Sequence, residues 1–125
     1  MTQKFRAWDT FHNKWVKHFY ITENGLIYNM EQPHRDLIGA VPIEQSGLVV
    51  MQSTGLFDVN GKEIFEGDVV KIFGEKLSKI YYSDGAFCVD ILIGETPLHA
   101  FLSEQLEIIG NIHRNPELME EVLND

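Results

Sequence analysis

The segment that most constrains this chain is residues 51–73, where two turn signals lie close together between apolar stretches. Asn60-Gly61 predicts a two-residue hairpin turn, because such a turn needs positive φ at both central positions. Glu66-Gly67-Asp68 predicts a second reversal, followed by a buried strand of β-branched and aromatic residues. A segment that reverses twice must lie in the middle of a sheet that the rest of the chain completes. The predicted buried strand contains Val69, Val70, Ile72 and Phe73.

A chain of 125 residues is long enough to bury a core without a disulfide or a metal ion. We predict one domain over residues 1–125. Its parts are an N-terminal hairpin and loop region (1–46), a barrel-like core (47–113) and a C-terminal helix (115–123).

The expected compartment is the cytoplasm. The single cysteine, Cys88, cannot form an internal bridge, which is consistent with a reducing environment. The first residues lack the pattern of a signal peptide. No apolar run approaches the roughly 18 residues of a membrane span, so we expect no membrane partner.

Charge is distributed unevenly along the chain. Residues 1–35 have a net charge of +2, residues 36–93 of −5 and residues 94–125 of −6, within a total of −9. An acidic total opposes attraction to phosphates and disfavours nucleic acid as a partner. The asymmetry would let the acidic tail of one subunit lie against the basic head of another, which predicts a homo-oligomer.

The N-terminal third is rich in aromatic residues. Residues 4–8 and 14–21 flank polar turn formers, which predicts a β-hairpin with a five-residue loop. Exposed, its side chains would form a stacking platform for single-stranded nucleic acid. Buried, the same aromatics form an ordinary hairpin face over the core, which is the commoner arrangement. The candidate nucleic-acid-binding residues are Lys4, Arg6, Trp8, Lys14, Trp15 and Lys17.

Further short apolar runs, bounded by glycine and other turn formers, predict the remaining elements. Asn115 as N-cap and Pro116 at the first helical position predict the start of the terminal helix. The predicted strands lie at residues 26–30, 37–41, 48–51, 78–82, 86–93 and 106–112, with 31–46 mostly a loop. In residues 86–93, the period of two places Phe87, Val89, Ile91 and Ile93 on the buried face.

Short strands at regular spacing and one terminal helix predict a mainly β fold. Two architectures satisfy the pattern: a small SH3-like barrel, or a curled antiparallel sheet. Either would carry an N-terminal β-hairpin and a short C-terminal helix. The run Glu-Gly-Asp-Val-Val-Lys-Ile at residues 66–72 is frequent in SH3-like barrels, but an analogy between folds says little about function.

The chain shows no coherent catalytic motif, so we predict no catalytic residue, metal ion or cofactor. Gly55, Gly61 and Gly67 match no phosphate-binding loop and are interpreted as turn formers. Cys88 would act as a nucleophile only with a base such as His99. In an apolar strand it is more often a small buried hydrophobe.

The densest acidic group lies in the turn region 58–68. Two of its carboxylates could converge as an acid and base pair or hold a divalent cation. The favoured interpretation is that the two aspartates hydrogen-bond their own turns while the two glutamates are solvated. The four residues are Asp58, Glu63, Glu66 and Asp68.

Several segments together resemble the YopX family. The signature runs from Met51-Gln52-Ser53-Thr54-Gly55-Leu56 through Asp58 and Asn60-Gly61 to Glu66-Gly67-Asp68-Val69-Val70. The opening Lys4-Phe5-Arg6-Ala7-Trp8-Asp9 agrees, as do the closing residues 106–112 and 115–118. Phe65 replaces a more usual Tyr, and His113-Arg114 replace a more usual Tyr-Glu. The resemblance implies a small β-rich protein of bacterial phages or prophages that assembles from several subunits, with no established reaction. It also implies that the cytoplasm in question is that of a bacterial host cell.

Three functional hypotheses follow. The first is a non-enzymatic, phage-encoded interaction module that self-associates and binds a host or phage protein. The second is a nucleic-acid-associated protein that uses the N-terminal hairpin. The third is an enzyme or metal-binding protein centred on the acidic turn.

Overall fold

The computed structural model describes residues 4–31, 39–92 and 94–120. The chain divides into an N-terminal unit, residues 5–51, and a C-terminal unit, residues 1–4 with 52–125. Every strand pairing recorded in either unit is antiparallel, which confirms the mainly β prediction. The single domain over residues 1–125 and the SH3-like alternative stay predictions.

The N-terminal unit contains the predicted aromatic hairpin. Strand β1 pairs with β2 in the register Ala7↔Val16 and Asp9↔Lys14, so the loop has four residues rather than five. Strands β3, β4 and β5 form a second sheet. The buried core consists of Ala7, Val16, Ile27 and Leu48. The strands are β1 (Phe5–Asp9), β2 (Lys14–Val16), β3 (Phe19–Ile21), β4 (Leu26–Asn29), β5 (Val41–Pro42) and β6 (Leu48–Phe57), the last shared with the C-terminal unit.

The run 14–21 was predicted as one strand and forms two, β2 and β3, in different sheets. The backbone N–H groups of Lys17 and His18 donate to the Glu31 carboxylate at 2.6 and 3.0 Å. These hydrogen bonds hold the pKa of Glu31 below its usual value. Strand β2 therefore ends at Val16, because the N–H groups that follow donate to the Glu31 side chain and not to a neighbouring strand.

The C-terminal unit contains two three-stranded sheets, in the orders β13-β8-β9 and β10-β11-β12, and the pairing of β6 with β7. Its core is formed by Ile64, Val70, Ile72, Ile80, Val89, Leu98 and Leu106. The strands are β7 (Glu63–Phe65), β8 (Asp68–Ile72), β9 (Lys76–Lys79), β10 (Tyr81–Ser83), β11 (Ala86–Ile91), β12 (Gly94–Pro97) and β13 (Leu106–Asn111). Short 3₁₀ turns occupy Leu98–Ala100 and Ser103–Gln105.

The predicted hairpin between β6 and β7 is present, but its turn differs from the expected one. Only Gly61 has positive φ, at 78°, and Asn60 does not. The Gly61 N–H donates to the Asp58 carbonyl oxygen at 3.0 Å, and the Asp58 N–H donates to the Lys62 carbonyl oxygen at 2.9 Å. This is a three-residue loop that ends in a left-handed glycine. The buried Asp58 side chain favours it by accepting two further N–H groups of the loop.

Two other predicted strands end earlier than expected. Phe73 was placed in the buried strand, but it lies in the following turn with φ of 54° and is 59% exposed. The predicted strand 78–82 is interrupted at Ile80, whose N–H donates to the Asp68 carbonyl oxygen at 2.8 Å. Strands β9 and β10 consequently belong to different sheets.

The C-terminal helix occupies residues 118–120 within the described part of the chain. The predicted N-cap, Asn115, has another role, because its side-chain oxygen accepts the N–H of Asn111 at 3.2 Å. Its backbone carbonyl accepts the N–H of Leu118 at 3.0 Å. Gly110 allows this close packing, since a Cβ there would lie 2.5 Å from Leu118 Cδ1.

Of the remaining predictions, two strands are confirmed, one lies at other residues, and some fall on residues outside the described ranges. The strand at 26–30 is confirmed as β4, and the strand at 106–112 as β13. In the loop 31–46, the described strand is β5 at Val41–Pro42 instead of 37–41, and residues 32–38 lie outside the described ranges. Ile93 and residues 121–123 of the predicted helix also lie outside them.

We expect the Asp58 carboxylate to determine the stability of the C-terminal unit. In Asp58→Asn the new amide group would face a backbone N–H instead of accepting from it, so the free energy of unfolding should fall by about 2–3 kcal/mol. Chemical denaturation measures this loss. Asp84→Asn is the matched control, because Asp84 is exposed and Asn tolerates its positive φ of 48°. Equal unfolding midpoints for the two variants would contradict the role of Asp58.

Candidate functional site

The aromatic residues of the N-terminal hairpin pack against one another. Trp8 is only 6% exposed, and its ring meets that of Trp15 edge to face with the centroids 5.0 Å apart. The Arg6 guanidinium carbon lies 4.4 Å from the centroid of the Trp15 ring. Such a stack stabilises the hairpin through burial and a cation–π contact. Trp8 is therefore not a free platform on which a base could stack.

The lysines among the candidate nucleic-acid-binding residues are placed differently. Lys14 and Lys17 are exposed in the N-terminal unit. Lys4 belongs to the C-terminal unit, where its Nζ lies 3.4 Å from Glu63 Oε1. The nucleic-acid hypothesis stays a prediction that depends on Lys14, Lys17 and the half-buried Trp15.

Three carboxylates of the acidic turn, those of Asp58, Glu63 and Asp68, accept hydrogen bonds from backbone or side-chain partners. Asp58 Oδ1 accepts from Asn60 and Lys62, and Asp68 Oδ2 accepts the N–H of Phe65 at 2.9 Å. This confirms that both aspartates hydrogen-bond their own turns.

Glu63 is not solvated as expected, because it accepts from the Ser53 hydroxyl and pairs with Lys4. These contacts, led by the Ser53 hydrogen bond, lower the pKa of Glu63. Within the described ranges, no three His, Cys, Asp or Glu side chains are placed to hold a metal ion.

Cys88 is buried in β11, as expected of a small hydrophobe. Its Sγ lies 3.6 Å from the carbonyl oxygen of Ala86. Burial, together with nearby carboxylates, raises the pKa of the thiol. A raised pKa disfavours the thiolate, which is the nucleophilic form.

The C-terminal unit exposes three large apolar side chains on adjacent turns, which we call the apolar surface. Val59, Phe73 and Leu102 are 50%, 59% and 60% exposed. The Val59 N–H donates to the Leu106 carbonyl oxygen, and the Phe73 N–H donates to that of Gln105. The Gln105 N–H in turn donates to the carbonyl oxygen of Leu102. These hydrogen bonds attach all three residues to one short stretch of backbone.

Phe73 is the central residue of the apolar surface. Its ring meets that of Phe101 edge to face, with the centroids 5.8 Å apart, and Phe101 packs against the core. The sequence reasoning missed this exposure because Phe73 continues an apolar run. The signal that could have shown it is Gly74, which marks the turn immediately after β8.

The N-terminal unit has a shallow depression of about 360 Å³ on its surface, which we call the aromatic depression. Its walls are apolar or aromatic, and one cation lies at its edge. Tyr20, one of its residues, is 50% exposed and stacks at 5.4 Å on Tyr28 across the strand pair. The lining residues are Phe5, Lys17, Phe19, Tyr20 and Ile21.

Comparison with family models identifies the chain. The model described as "YopX protein" matches residues 4–120. The chain belongs to the YopX family. This confirms the resemblance of the motifs at residues 51–70.

Two crystal structures are similar to this YopX-family protein. Protein EF1440 from Enterococcus faecalis is 30% identical with a TM-score of 0.68, over 95% of this chain and 99% of that one. Protein yopX from Bacillus subtilis is 22% identical with a TM-score of 0.58, over 91% of this chain and 95% of that one, and shows similarity of fold. A comparison with curated proteins found no match. In the described part of this YopX-family chain, no helix combines the length and apolarity needed to cross a membrane.

We expect Trp8 to act as a core residue of the hairpin. Because its ring is almost fully buried, Trp8→Ala should lower the free energy of unfolding by about 3–5 kcal/mol. Trp15→Ala should cost less, since Trp15 is half-buried. Thermal or chemical unfolding of the two variants measures the difference. A larger loss for Trp15→Ala would show that the more exposed ring of the pair contributes more to the free energy of unfolding than the buried Trp8.

Proposed function

We propose that this YopX-family protein is a non-enzymatic interaction module that assembles with copies of itself. In this proposal the assembly is cytoplasmic, is encoded by a phage or prophage, and binds a host or phage protein. The family resemblance supports the proposed phage origin. The self-association rests on the exposure and backbone conformation of Phe73.

Two features of Phe73 are unfavourable for the folded chain on its own: its strained backbone and its exposed ring. A bulky aromatic residue with positive φ is an outlier, because its Cβ crowds the backbone. An aromatic ring left 59% exposed also gives up much of the favourable free energy of burial. Backbone strain of this kind is concentrated at functional positions. A partner that covers the ring would recover the apolar burial.

The partner that best fits the apolar surface is a second copy of this chain. The C-terminal unit, which carries the apolar surface, has 6 Lys or Arg and 14 Asp or Glu, whereas the N-terminal unit has 4 and 5. Two C-terminal units would repel each other. The aromatic depression of the N-terminal unit offers apolar walls and the cation of Lys17, and so complements the acidic unit in both respects.

This arrangement is heterologous, because the apolar surface of one copy contacts the aromatic depression of the next. Heterologous contacts close into rings when the rotation between copies permits and otherwise continue as filaments. Either outcome gives every copy the same pair of neighbours. We expect a closed ring of one size, with the remaining surface available to another protein.

A complementation experiment tests the heterologous contact. Phe73→Asn removes the exposed ring and relieves the strained φ, because Asn tolerates the left-handed region. Tyr20→Glu places a negative charge in the aromatic depression, which would repel the acidic C-terminal unit of the neighbouring copy. Each variant alone should be monomeric by native mass spectrometry at concentrations where the unmodified protein assembles. A 1:1 mixture should form a heterodimer, because each variant retains one intact surface.

Tyr82→Asn is the control, since Tyr82 is a similarly exposed aromatic, at 56%, outside both surfaces. It should assemble like the unmodified protein. Phe73→Asn should also unfold no more easily than the unmodified protein, which separates lost assembly from lost folding. A mixture that stays monomeric, or an unmodified protein that is monomeric at high concentration, would refute the heterologous arrangement.

Charge reversal in the C-terminal segment provides a second test of assembly. Glu117 and Glu120 are exposed there, and Glu121 in the same segment lies outside the described residues. Reversing Glu117 and Glu120 to Lys should weaken self-association at low salt, because the acidic segment would no longer attract the basic head of a neighbour. The measurement is light scattering after size-exclusion chromatography.

The matched control reverses Glu95 and Glu107 to Lys, which changes the net charge by the same amount at other exposed positions. The difference between the two double variants should shrink at high salt, where exposed charges are screened. Equal assembly of both variants at low salt would show that the acidic segment does not contribute.

A further inference from the structure

The N-terminal unit contains a cavity of about 550 Å³ that neither surface uses. This volume is in the range of pockets that hold small molecules. Part of the wall is apolar, from Phe11, Ile27 and Leu48, and part is polar, from Asp9, His12 and Asn29. Apolar walls with a few polar groups are the usual composition of a site for an organic ligand.

A buried Asp9 and an exposed His12, whose side chain is 42% accessible, form a pair in the lining of this cavity. Asp9 is 3% exposed, and its Oδ2 lies 2.7 Å from Nδ1 of His12. Its Oδ1 accepts the backbone N–H groups of Phe11 at 2.9 Å and of His12 at 3.2 Å. Burial by itself raises the pKa of Asp9, but these hydrogen bonds outweigh burial and lower it. Asp9 is therefore an ionised carboxylate with both oxygens engaged.

An ionised Asp9 fixes the chemistry of His12. The ionised carboxylate can only accept a hydrogen bond, so in the neutral ring the proton stays on Nδ1, which donates to Asp9, and Nε2 is a hydrogen-bond acceptor. Among the described residues, Nε2 has no hydrogen-bond partner.

Asn29 supplies a hydrogen-bond donor. Its Oδ1 accepts the N–H of Glu31 at 2.9 Å, while its Nδ2 donates to none of the described residues. His12 thus offers an acceptor and Asn29 a donor beside the apolar wall of the cavity.

We propose that this cavity is a binding site for a small uncharged molecule with an apolar body and a hydroxyl group, whose O–H donates to Nε2 of His12. The hydroxyl oxygen can accept from Asn29 Nδ2. The apolar body would lie against Ile27 and Leu48. The site goes beyond the proposed self-association and does not depend on it.

Charged ligands fit the cavity less well. An anion would face the ionised Asp9, and the described residues of the lining include no Lys or Arg to compensate. A cation would find both oxygens of Asp9 occupied by donors. A neutral hydroxyl compound needs neither a counter-charge nor displacement of an existing hydrogen bond.

Phenol and anisole are the probes for this site. Both carry the same ring, but anisole lacks the O–H donor. Long-range ¹H–¹⁵N NMR of the full chain should show His12 protonated at Nδ1, and phenol should shift its Nε2 resonance. Binding should be millimolar, as expected for so small a ligand, with anisole about tenfold weaker. Equal affinities for phenol and anisole in the unmodified protein would overturn the proposal without any variant.

Two variants locate the effect. His12→Phe keeps an aromatic ring and the backbone N–H to Asp9 but removes Nε2, so the preference for phenol should disappear. His18→Gln, an exposed histidine outside the cavity lining, should leave the tenfold preference unchanged. A preference that persists in His12→Phe, or is lost in His18→Gln, would show that phenol does not bind through His12.

Discussion

The C-terminal unit depends on one buried carboxylate. Asp58 is 2% exposed, and it accepts backbone N–H groups from Asn60 and Lys62 in its own turn and from Ile108 in β13. The turn is thereby tied to a strand fifty residues further along the chain. A carboxylate is costly to bury unless both its oxygens accept hydrogen bonds, so Asp58 favours this turn geometry over the two-residue alternative.

The other buried aspartates also accept hydrogen bonds from their own turns. Asp68 accepts from the N–H of Phe65 and from the side chain of Asn111. Asp9 accepts from its own loop in the N-terminal unit and orients His12. An acidic composition thus serves two purposes in this protein. Buried aspartates fix turns, while exposed acids give the C-terminal unit the negative charge on which the proposed contact with another copy rests.

The proposed surfaces arise where this framework holds side chains away from the core. Phe73 follows β8 directly, yet the turn rotates it outwards, and its N–H is fixed by Gln105. In the N-terminal unit, the Thr10 N–H and hydroxyl both donate to the Gly47 carbonyl oxygen. This contact holds the hairpin loop against the turn before β6, where His12 and Leu48 line one cavity. Turns therefore contribute to both features: one turn exposes Phe73, and the hairpin loop brings His12 to a cavity that strands also line.

The sequence by itself determined the fold class, the family and most turn positions, because glycine, asparagine and alternating apolar residues act locally. It also indicated that Asp58 and Asp68 serve their own turns. It could not determine that Lys17 and His18 donate to Glu31, that Phe73 is exposed, or that His12 and Asn29 line one cavity. Those outcomes depend on which strands become neighbours and on where a side chain replaces a strand as hydrogen-bond acceptor. Only the tertiary structure decides such contacts, because their partners are brought together by folding and not by spacing along the chain.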